Sequence, residues 1–344
     1  MEAYTDALCR DLAARAADCD AYTVDTVYLG GGTPTLLPIR LLERIMETLV
    51  RKYRLSPDAE ITAESNPATA DREKLAQMRR LGFNRLSIGL QSAHEEELRA
   101  LGRLHDFADF ERMIRDARAV GFENLSADVM SGIPKQTVES YLSTLERLCE
   151  LSPTHVSAYG LTVEEGTPFG RMGDRLRLPD EEDARRMYFE GIAFLAARGY
   201  AQYEISNFAR QGYESRHNVK YWNCDEYLGF GVAAYSDFGG DRFGNSRDVS
   251  AYIEGREILA ERETPSVRER MNEYVMLRMR LSEGIDPHAF EKRFGISFAE
   301  TFEKKLSAFA SGGFVRREGE RIALTPEGMY VSNAILSDVL DFSD

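Results

Sequence analysis

The sequence predicts an α/β fold: a partial (β/α) barrel with its helices outside, followed by a mostly helical, winged-helix-like C-terminal domain. Three observations predict it. Five short β-type runs alternate with helical stretches, their starts about 25–40 residues apart, the period of a right-handed βαβ unit. That rhythm stops after Leu161. From about Arg268 the order becomes three helices, a hairpin and a further helix. At 344 residues and 43% hydrophobic content, the chain can bury a core large enough for a barrel with an appended domain.

The first element is an amphipathic helix over Met1–Ala17, with Tyr4, Ala7, Leu8 and Leu12 on one stripe and Asp6, Arg10 and Arg15 off it. The β-type runs are Thr26–Leu29, Glu60–Ala63, Arg85–Leu90, Asn124–Val129 and His155–Leu161. Helical stretches separate them at Pro38–Tyr53, Asp71–Leu81, Glu95–Leu101 with Phe107–Val120, and Thr137–Leu151. Five strands fall one or two short of a closed barrel, and a helix stands where a βαβ series opens on a strand. The expectation is therefore a barrel missing its first strand. Gly166–Pro179 reads as loop, Glu181–Arg198 as a helix capped near Asp180, and Gln202–Phe208 as a short strand. Arg216–Gly240 is aromatic and Gly-rich. Phe314–Arg317 and Arg321–Leu324 form the hairpin, with a helix from Pro326. This divides the chain into a barrel core (1–165), a segment completing the barrel (166–265) and the C-terminal domain (266–344).

Net charge is −14, from 43 Lys+Arg against 57 Asp+Glu, which argues against a duplex nucleic-acid partner. The basic residues of the hairpin, Arg316, Arg317 and Arg321, alternate with Glu318 and Glu320 and read as a solvated wing. No apolar run approaches the roughly 20 residues that span a bilayer, and no secretory segment opens the chain, so a cytoplasmic protein that does not cross the membrane is expected. Cys9, Cys19, Cys149 and Cys224 are never within three residues of one another, so there is no metal-type CxxC spacing. Disulfides are not expected in a reducing cytosol.

Parallel barrels place their sites at the carboxyl ends of strands. The first strand is followed by Gly30-Gly31-Gly32-Thr33-Pro34, in which glycines let a ligand reach backbone amides; a tight strand-to-helix turn is the alternative. The second ends in Glu64-Ser65-Asn66-Pro67; a carboxylate at a strand tip can accept bonds from an ammonium or a ribose, but taken alone Glu64 reads rather as a helix N-cap or a surface acid. The third ends in Gln91-Ser92, after Gly89, which suggests close backbone approach. The fourth carries Asp128 within an apolar run, a ligand contact or the partner of a nearby Arg. Arg103, in Leu101-Gly102-Arg103-Leu104-His105, is either a carboxylate clamp or an exposed helix-end residue, and His105 reads as a cap or surface residue. Polar residues ending four successive strands point to a zwitterionic or nucleoside ligand across the barrel mouth. His217-Asn218-x-x-Tyr221-Trp222 is the second dense cluster: a His beside aromatics either contacts a flat apolar ligand such as haem or closes a packing corner.

Tyr28–Thr35, Asn84–Ser92, Leu101–His105 and Asp128–Thr137 together resemble the radical SAM proteins related to oxygen-independent coproporphyrinogen III oxidase. Gln202–Ala209 and the His217–Trp222 element resemble their haem-chaperone branch, the HemW family. The resemblance covers nearly the whole chain. It implies that Gly31, Gly32 and Thr33 bind the amino-acid end of S-adenosylmethionine, that Glu64, Gln91, Arg103 and Asp128 make further contacts with it, and that His217 handles haem. It implies as partners haem and haem-acceptor proteins at the membrane. It also implies a 4Fe-4S cluster on a CxxxCxxC loop after the first barrel strand, and here the sequence departs: the cluster cysteines are absent from this chain, and Cys9 and Cys19 cannot replace them. The expectation is a haem-chaperone-like radical SAM protein truncated at its N-terminus, with Met1 internal to a longer reading frame. A coproporphyrinogen III oxidase of porphyrin biosynthesis and a non-catalytic binding remnant are the alternatives.

Overall fold

The computed structural model describes residues 1–256 and 258–340. In chain order the elements are α1 (Glu2–Arg15), β1 (Val24–Leu29), α2 (Ile39–Lys52), β2 (Leu55–Ser65), α3 (Arg72–Arg80), β3 (Arg85–Gln91), α4 (Glu95–Ala100), α5 (Phe107–Ala119), β4 (Asn124–Ser131), α6 (Val138–Glu150), β5 (His155–Gly160), α7 (Glu181–Ala196), β6 (Ala201–Gln202) and β7 (Asn207–Ala209). There follow α8 (Arg216–Trp222), β8 (Tyr235–Phe238), β9 (Asp241–Asn245), α9 (Val249–Glu254), β10 (Leu259–Glu263), α10 (Val267–Arg278), α11 (Pro287–Phe294), α12 (Lys304–Ala310), β11 (Val315–Glu318), β12 (Arg321–Leu324), α13 (Pro326–Tyr330) and α14 (Ser332–Val339). They form two compact units, one made of 1–25, 40–58 and 216–344, the other of 26–39 and 59–215.

The second unit carries the expected α/β architecture. Its sheet runs β1-β2-β3-β4-β5-β7-β6, with β2/β3, β3/β4 and β4/β5 parallel and the β6–β7 hairpin antiparallel beside β5. It is an open sheet of a partial barrel, with β1 and β6 at its edges. Caps fix where the helices start: Asp71 accepts from the Lys74 amide, Asp106 and Thr137 close capping boxes, and Asp180 caps α7 as the sequence predicts. α5 packs on β3, and α6 and α7 pack on β4. The core between them is apolar and buried: Leu86, Ile88, Leu90, Phe110, Ile114, Leu145 and Val156.

Two local expectations change. The predicted strand at Glu60–Ala63 begins earlier, at Leu55, its first residues partly or fully exposed and so without apolar alternation to betray them. The single strand expected over Gln202–Phe208 is instead the β6–β7 hairpin, turned through Tyr203–Ser206 with the Glu204 side chain buried.

In the other unit the C-terminal helices and the β11–β12 hairpin follow the predicted winged-helix-like order around a core that includes Val275, Met279, Ile285, Phe290, Phe298 and Val339. Arg316 pairs with Glu318 within the wing, and Arg317 and Arg321 with Glu303 and Glu283 outside it, so each basic residue of the wing has an acidic partner. The same unit holds an antiparallel sheet ordered β10-β9-β8 that hydrophobic patterning does not reveal, because β10 is exposed along its whole length and shows no apolar alternation. Its one sequence signal is Gly239-Gly240, both at positive φ (63° and 86°), the hairpin turn between β8 and β9.

Candidate functional site

Side chains alternate along each strand, and the parallel register aligns them across neighbours. Thr62 lies opposite Arg85, Glu64 opposite Ser87, Gly89 opposite Asp128, Ser126 opposite His155, and Asp128 opposite Ser157. One face of the sheet is thus apolar and takes the helices. The other is polar from end to end: Glu60, Thr62 and Glu64 on β2, Arg85 and Ser87 on β3, Ser126 and Asp128 on β4, His155, Ser157 and Tyr159 on β5.

At the carboxyl end of β1 the three glycines have three jobs. A Cβ at Gly30 would lie 2.7 Å from Tyr28 Cε1 and 2.8 Å from Glu64 Oε1, so Gly30 permits close packing. Gly31 takes the left-handed turn at φ 78°. A Cβ at Gly31 or Gly32 would meet no atom within 4 Å, so both face open space. The Gly31 amide donates to Glu64 Oε2 at 3.1 Å and the Tyr28 hydroxyl donates to Oε1 at 3.0 Å. Burial pushes the Glu64 carboxyl above the usual carboxylate range. The Tyr28 hydroxyl and the amides of Gly31 and Gly32 work against that, while the Asp128 charge adds to it.

Asn66 Nδ2 donates to Thr33 Oγ1 at 2.8 Å, and Arg103 Nη1 donates to Asn66 Oδ1 at 3.1 Å. Asn66 therefore couples two of the predicted residues; sequence reasoning passed over it beside the more conspicuous Glu64. Gln91 sits at φ 69° after a register shift in the β3–β4 ladder and is 3% exposed. Its Oε1 accepts from the Tyr159 hydroxyl at 3.2 Å. A Cβ at Gly89 would lie 2.8 Å from Gln91 Nε2, which is the close approach the glycine suggests. Asp128 Oδ1 accepts from Ser87 Oγ at 3.1 Å. Burial raises the Asp128 carboxyl; the Ser87 and Ser157 hydroxyls and the charges of Arg85 and Arg103 oppose the rise. His105 is not a surface residue: it is buried, Nε2 lies 3.2 Å from the Leu90 carbonyl oxygen, and burial lowers its basicity.

The unit thus gathers Gly31, Gly32, Thr33, Glu64, Gln91, Arg103 and Asp128 at one end of the sheet. Together they offer carboxylates to an ammonium or to hydroxyls, a guanidinium to a carboxylate, and glycine-lined open space for the body of a ligand. The set fits S-adenosylmethionine. It does not fit an iron-sulfur cluster: all four cysteines are free, and no group of three His, Cys, Asp or Glu among the described residues is arranged to hold a metal ion.

His217 belongs to the other unit, on α8. His217 and Tyr221 lie one turn apart, with Nε2 and the hydroxyl 2.8 Å from each other and the rings edge-on at 5.1 Å. Tyr221 stacks edge-on against Tyr227 at 4.6 Å. The Lys220–Asp25 ion pair at 2.8 Å and the Arg293 guanidinium on the Asn223 and Cys224 carbonyls anchor the C-terminal end of the helix.

The radical SAM superfamily profile matches residues 3–148 and the HemN C-terminal domain profile matches residues 266–331. The chain is 33% identical over 350 residues to "Heme chaperone HemW" of Bacillus subtilis (strain 168), covering 99% of this chain and 92% of that protein. It is 31% identical over 338 residues to the protein of the same name from Escherichia coli (strain K12), covering 97% and 88%. The chain belongs to the HemW family. Its fold also matches the solved structure of coproporphyrinogen III oxidase (HemN) from Escherichia coli, a radical SAM enzyme, with TM-score 0.86, 26% identity, 99% of this chain and 83% of that one. Membership of the HemW family, within the radical SAM superfamily, implies S-adenosylmethionine and a 4Fe-4S cluster. No helix among the described residues is long and apolar enough to cross a membrane.

Proposed function

We propose that this chain is a haem chaperone: it binds haem at α8, binds S-adenosylmethionine at the strand ends, and delivers haem to acceptor proteins at the membrane from the cytoplasm. The observation that carries the reading is the cluster of His217 and Tyr221 on an anchored helix with Tyr227 packed against them, an imidazole of the kind that ligates haem iron beside flat rings, in a chain related along nearly its full length to proteins named haem chaperones. In this reading residues 1–165, 166–265 and 266–344 act as barrel core, haem-handling segment and C-terminal domain, with no nucleic-acid partner.

For S-adenosylmethionine, Gly31, Gly32 and Thr33 line the amino-acid end, Glu64 takes the ammonium, Arg103 the carboxylate, Asp128 the ribose hydroxyls, and Gln91 closes the side. The bound molecule supplies an adenosyl group on an activated sulfonium. The residues of this chain orient it and screen it from water. Haem titration of wild type and His217→Ala tests the haem site. A saturable Soret shift in wild type, weakened about tenfold or more in the variant, is expected; equal shifts remove His217 from the site.

The fold match to HemN supports a second reading, coproporphyrinogen III oxidation. Anaerobic product analysis with coproporphyrinogen III, on protein given a reconstituted cluster and a reductant, separates the two, and decarboxylated product would favour the second.

A further inference from the structure

At the strand ends stand two side-chain amides, Asn66 and Gln91. Each carries an oxygen and an NH2 group of nearly the same shape, and which end faces a ligand decides what the ligand must offer. The Arg103 guanidinium fixes the first. Its Nη1 bonds one end of the Asn66 amide at 3.1 Å, and a guanidinium has protons to donate but no lone pair to accept with, so that end is the oxygen Oδ1. Nδ2 lies at the other end and donates to Thr33 Oγ1 at 2.8 Å.

Asn66 fixes Gln91 in turn. Both amides border the space that Gly89 leaves empty: a Cβ there would lie 2.8 Å from Gln91 Nε2 and 3.0 Å from Asn66 Oδ1. With Nε2 on that side, Gln91 turns a donor toward an acceptor; turned over, it would set one carbonyl oxygen against another. Oε1 therefore points the other way, where the Tyr159 hydroxyl donates to it at 3.2 Å. Burial pushes that phenol up to about 12, so the proton it donates stays on it across the neutral range. Gln91 itself is buried and held at φ 69°, a backbone conformation that a residue other than glycine keeps only where its surroundings impose it. Two donor groups, the Arg103 guanidinium and the Gln91 NH2, thus gather about Asn66 Oδ1, and one of them is cationic. A carboxylate, with two acceptor oxygens and a negative charge, is the ligand group that suits such a pair.

We propose that Tyr159 is a positioning residue: its hydroxyl, on β5, holds the oxygen of the Gln91 amide and so keeps the NH2 group turned toward Asn66 and Arg103, where Gln91 and Arg103 together donate to the carboxylate of the ligand. Without that hydroxyl the amide is free to turn over and present an oxygen that repels a carboxylate. The proposal rests on the S-adenosylmethionine reading of the pocket, and its test separates the two.

Calorimetry on the full chain compares S-adenosylhomocysteine with its decarboxylated analogue, S-adenosyl-3-thiopropylamine, in wild type, Tyr159→Phe, Gln91→Ala and the double variant. Tyr159→Phe weakens S-adenosylhomocysteine about fivefold or more and the decarboxylated analogue less than about twofold. In the Gln91→Ala background the same change leaves S-adenosylhomocysteine affinity the same within about twofold, because no amide remains to be held. A hydroxyl that only supports the fold would weaken both ligands alike, and that result overturns the proposal, as does an unchanged affinity for S-adenosylhomocysteine in Tyr159→Phe or strict additivity in the double variant. Should Gln91→Ala fail to fold, the two-ligand comparison in Tyr159→Phe decides by itself. If wild type binds neither ligand, the pocket reading falls, and NMR on ligand-free protein still decides the orientation. Side-chain amide protons of Gln91 close to the Gly89 α-protons in wild type, and less so in Tyr159→Phe, support the proposal; amide protons directed at the Tyr159 ring in wild type overturn it.

Discussion

Alanine placed in turn at Gly30, Gly31 and Gly32 distinguishes a ligand-binding glycine run from a tight turn, because the structure predicts three different outcomes. At Gly30 the new methyl would press on Tyr28 Cε1 at 2.7 Å and Glu64 Oε1 at 2.8 Å, overpacking that costs about 1–3 kcal/mol. At Gly31 it meets nothing within 4 Å, but φ of 78° strains any L-residue by roughly 1–2 kcal/mol, partly offset by a stiffer unfolded chain. The net, about 1 kcal/mol, corresponds to a fall in Tm of roughly 2–4 °C for a unit of this size. At Gly32 there is neither contact within 4 Å nor positive φ, so stability should hold within about 0.5 kcal/mol. The open space over Gly32 is where the ligand is read to lie, so a methyl there obstructs binding alone. We expect Gly32→Ala to melt like wild type yet bind S-adenosylhomocysteine at least about tenfold more weakly, ~1.4 kcal/mol. Thermal melts and calorimetry on the three variants supply the comparison. Unchanged affinity in Gly32→Ala would refute the ligand-binding account and leave the glycines as a turn.

Three further outcomes follow from the same geometry. Asn66→Ala should weaken S-adenosylhomocysteine binding with little change in melting, and should be non-additive with Arg103→Ala, since Asn66 Oδ1 is the acceptor that holds Arg103; strict additivity in the double-mutant cycle would count against the coupling. Asp11 is 4% exposed and bonds Arg15 at 3.1 Å and the Tyr252 hydroxyl at 3.0 Å, so Asp11→Ala should cost on the order of 3 kcal/mol in urea unfolding, leaving Arg15 without its anion between Phe230 and Phe243. Burial pushes the Glu204 carboxyl up to about 7, against opposition from the amides of Ser206, Asn207 and Ile205. The folded chain therefore holds a proton that the unfolded chain releases near pH 4.5, and stability present below that pH is lost as pH rises to about 7. Glu204→Gln should flatten this slope and gain relative stability, on the order of 3 kcal/mol, by pH 8; parallel pH–stability curves for the two proteins would count against it.

How much was legible in the sequence depended on which physical signal each feature carries. The β3 strand was readable because burial on both faces selects a compact β-type run, and β4 and β5 because their short β-type runs are separated by a well-capped helix. The β8–β10 sheet was not, since its edge strand β10, Leu259–Glu263, is exposed throughout and the buried positions of β8 and β9 are Ser236, Gly244 and Asn245 rather than apolar side chains. At the candidate site, residues at strand tips stood out because a polar group interrupts an apolar run there. Asn66, Tyr28 and Tyr159 were missed because their contribution is contact with another side chain from a distant strand, which one-dimensional spacing does not encode.

Arg85 shows why the deeper layer was the least legible part. In the run Asn84-Arg85-Leu86-Ser87-Ile88-Gly89-Leu90 the period-two pattern of polar Arg85 and Ser87 against Leu86, Ile88 and Leu90 reads as an ordinary half-exposed strand, with its polar side toward water. All seven residues of β3 are nevertheless buried. A strand that alternates in chemistry but not in burial must have a polar interior on its second face. Parallel α/β barrels ordinarily fill that space with branched apolar side chains. Here it is filled by Thr62, Arg85, Ser126 and His155, each 2% exposed or less. Polarity at that depth adds little to stability on its own account, since every such group must recover the hydration it gives up. It does set the electrostatic potential under the strand ends, where Glu64 and Asp128 compete for charge, and a ligand bearing both ammonium and hydroxyl donors needs both carboxylates ionised. The polar floor is therefore best understood as part of the pocket above it.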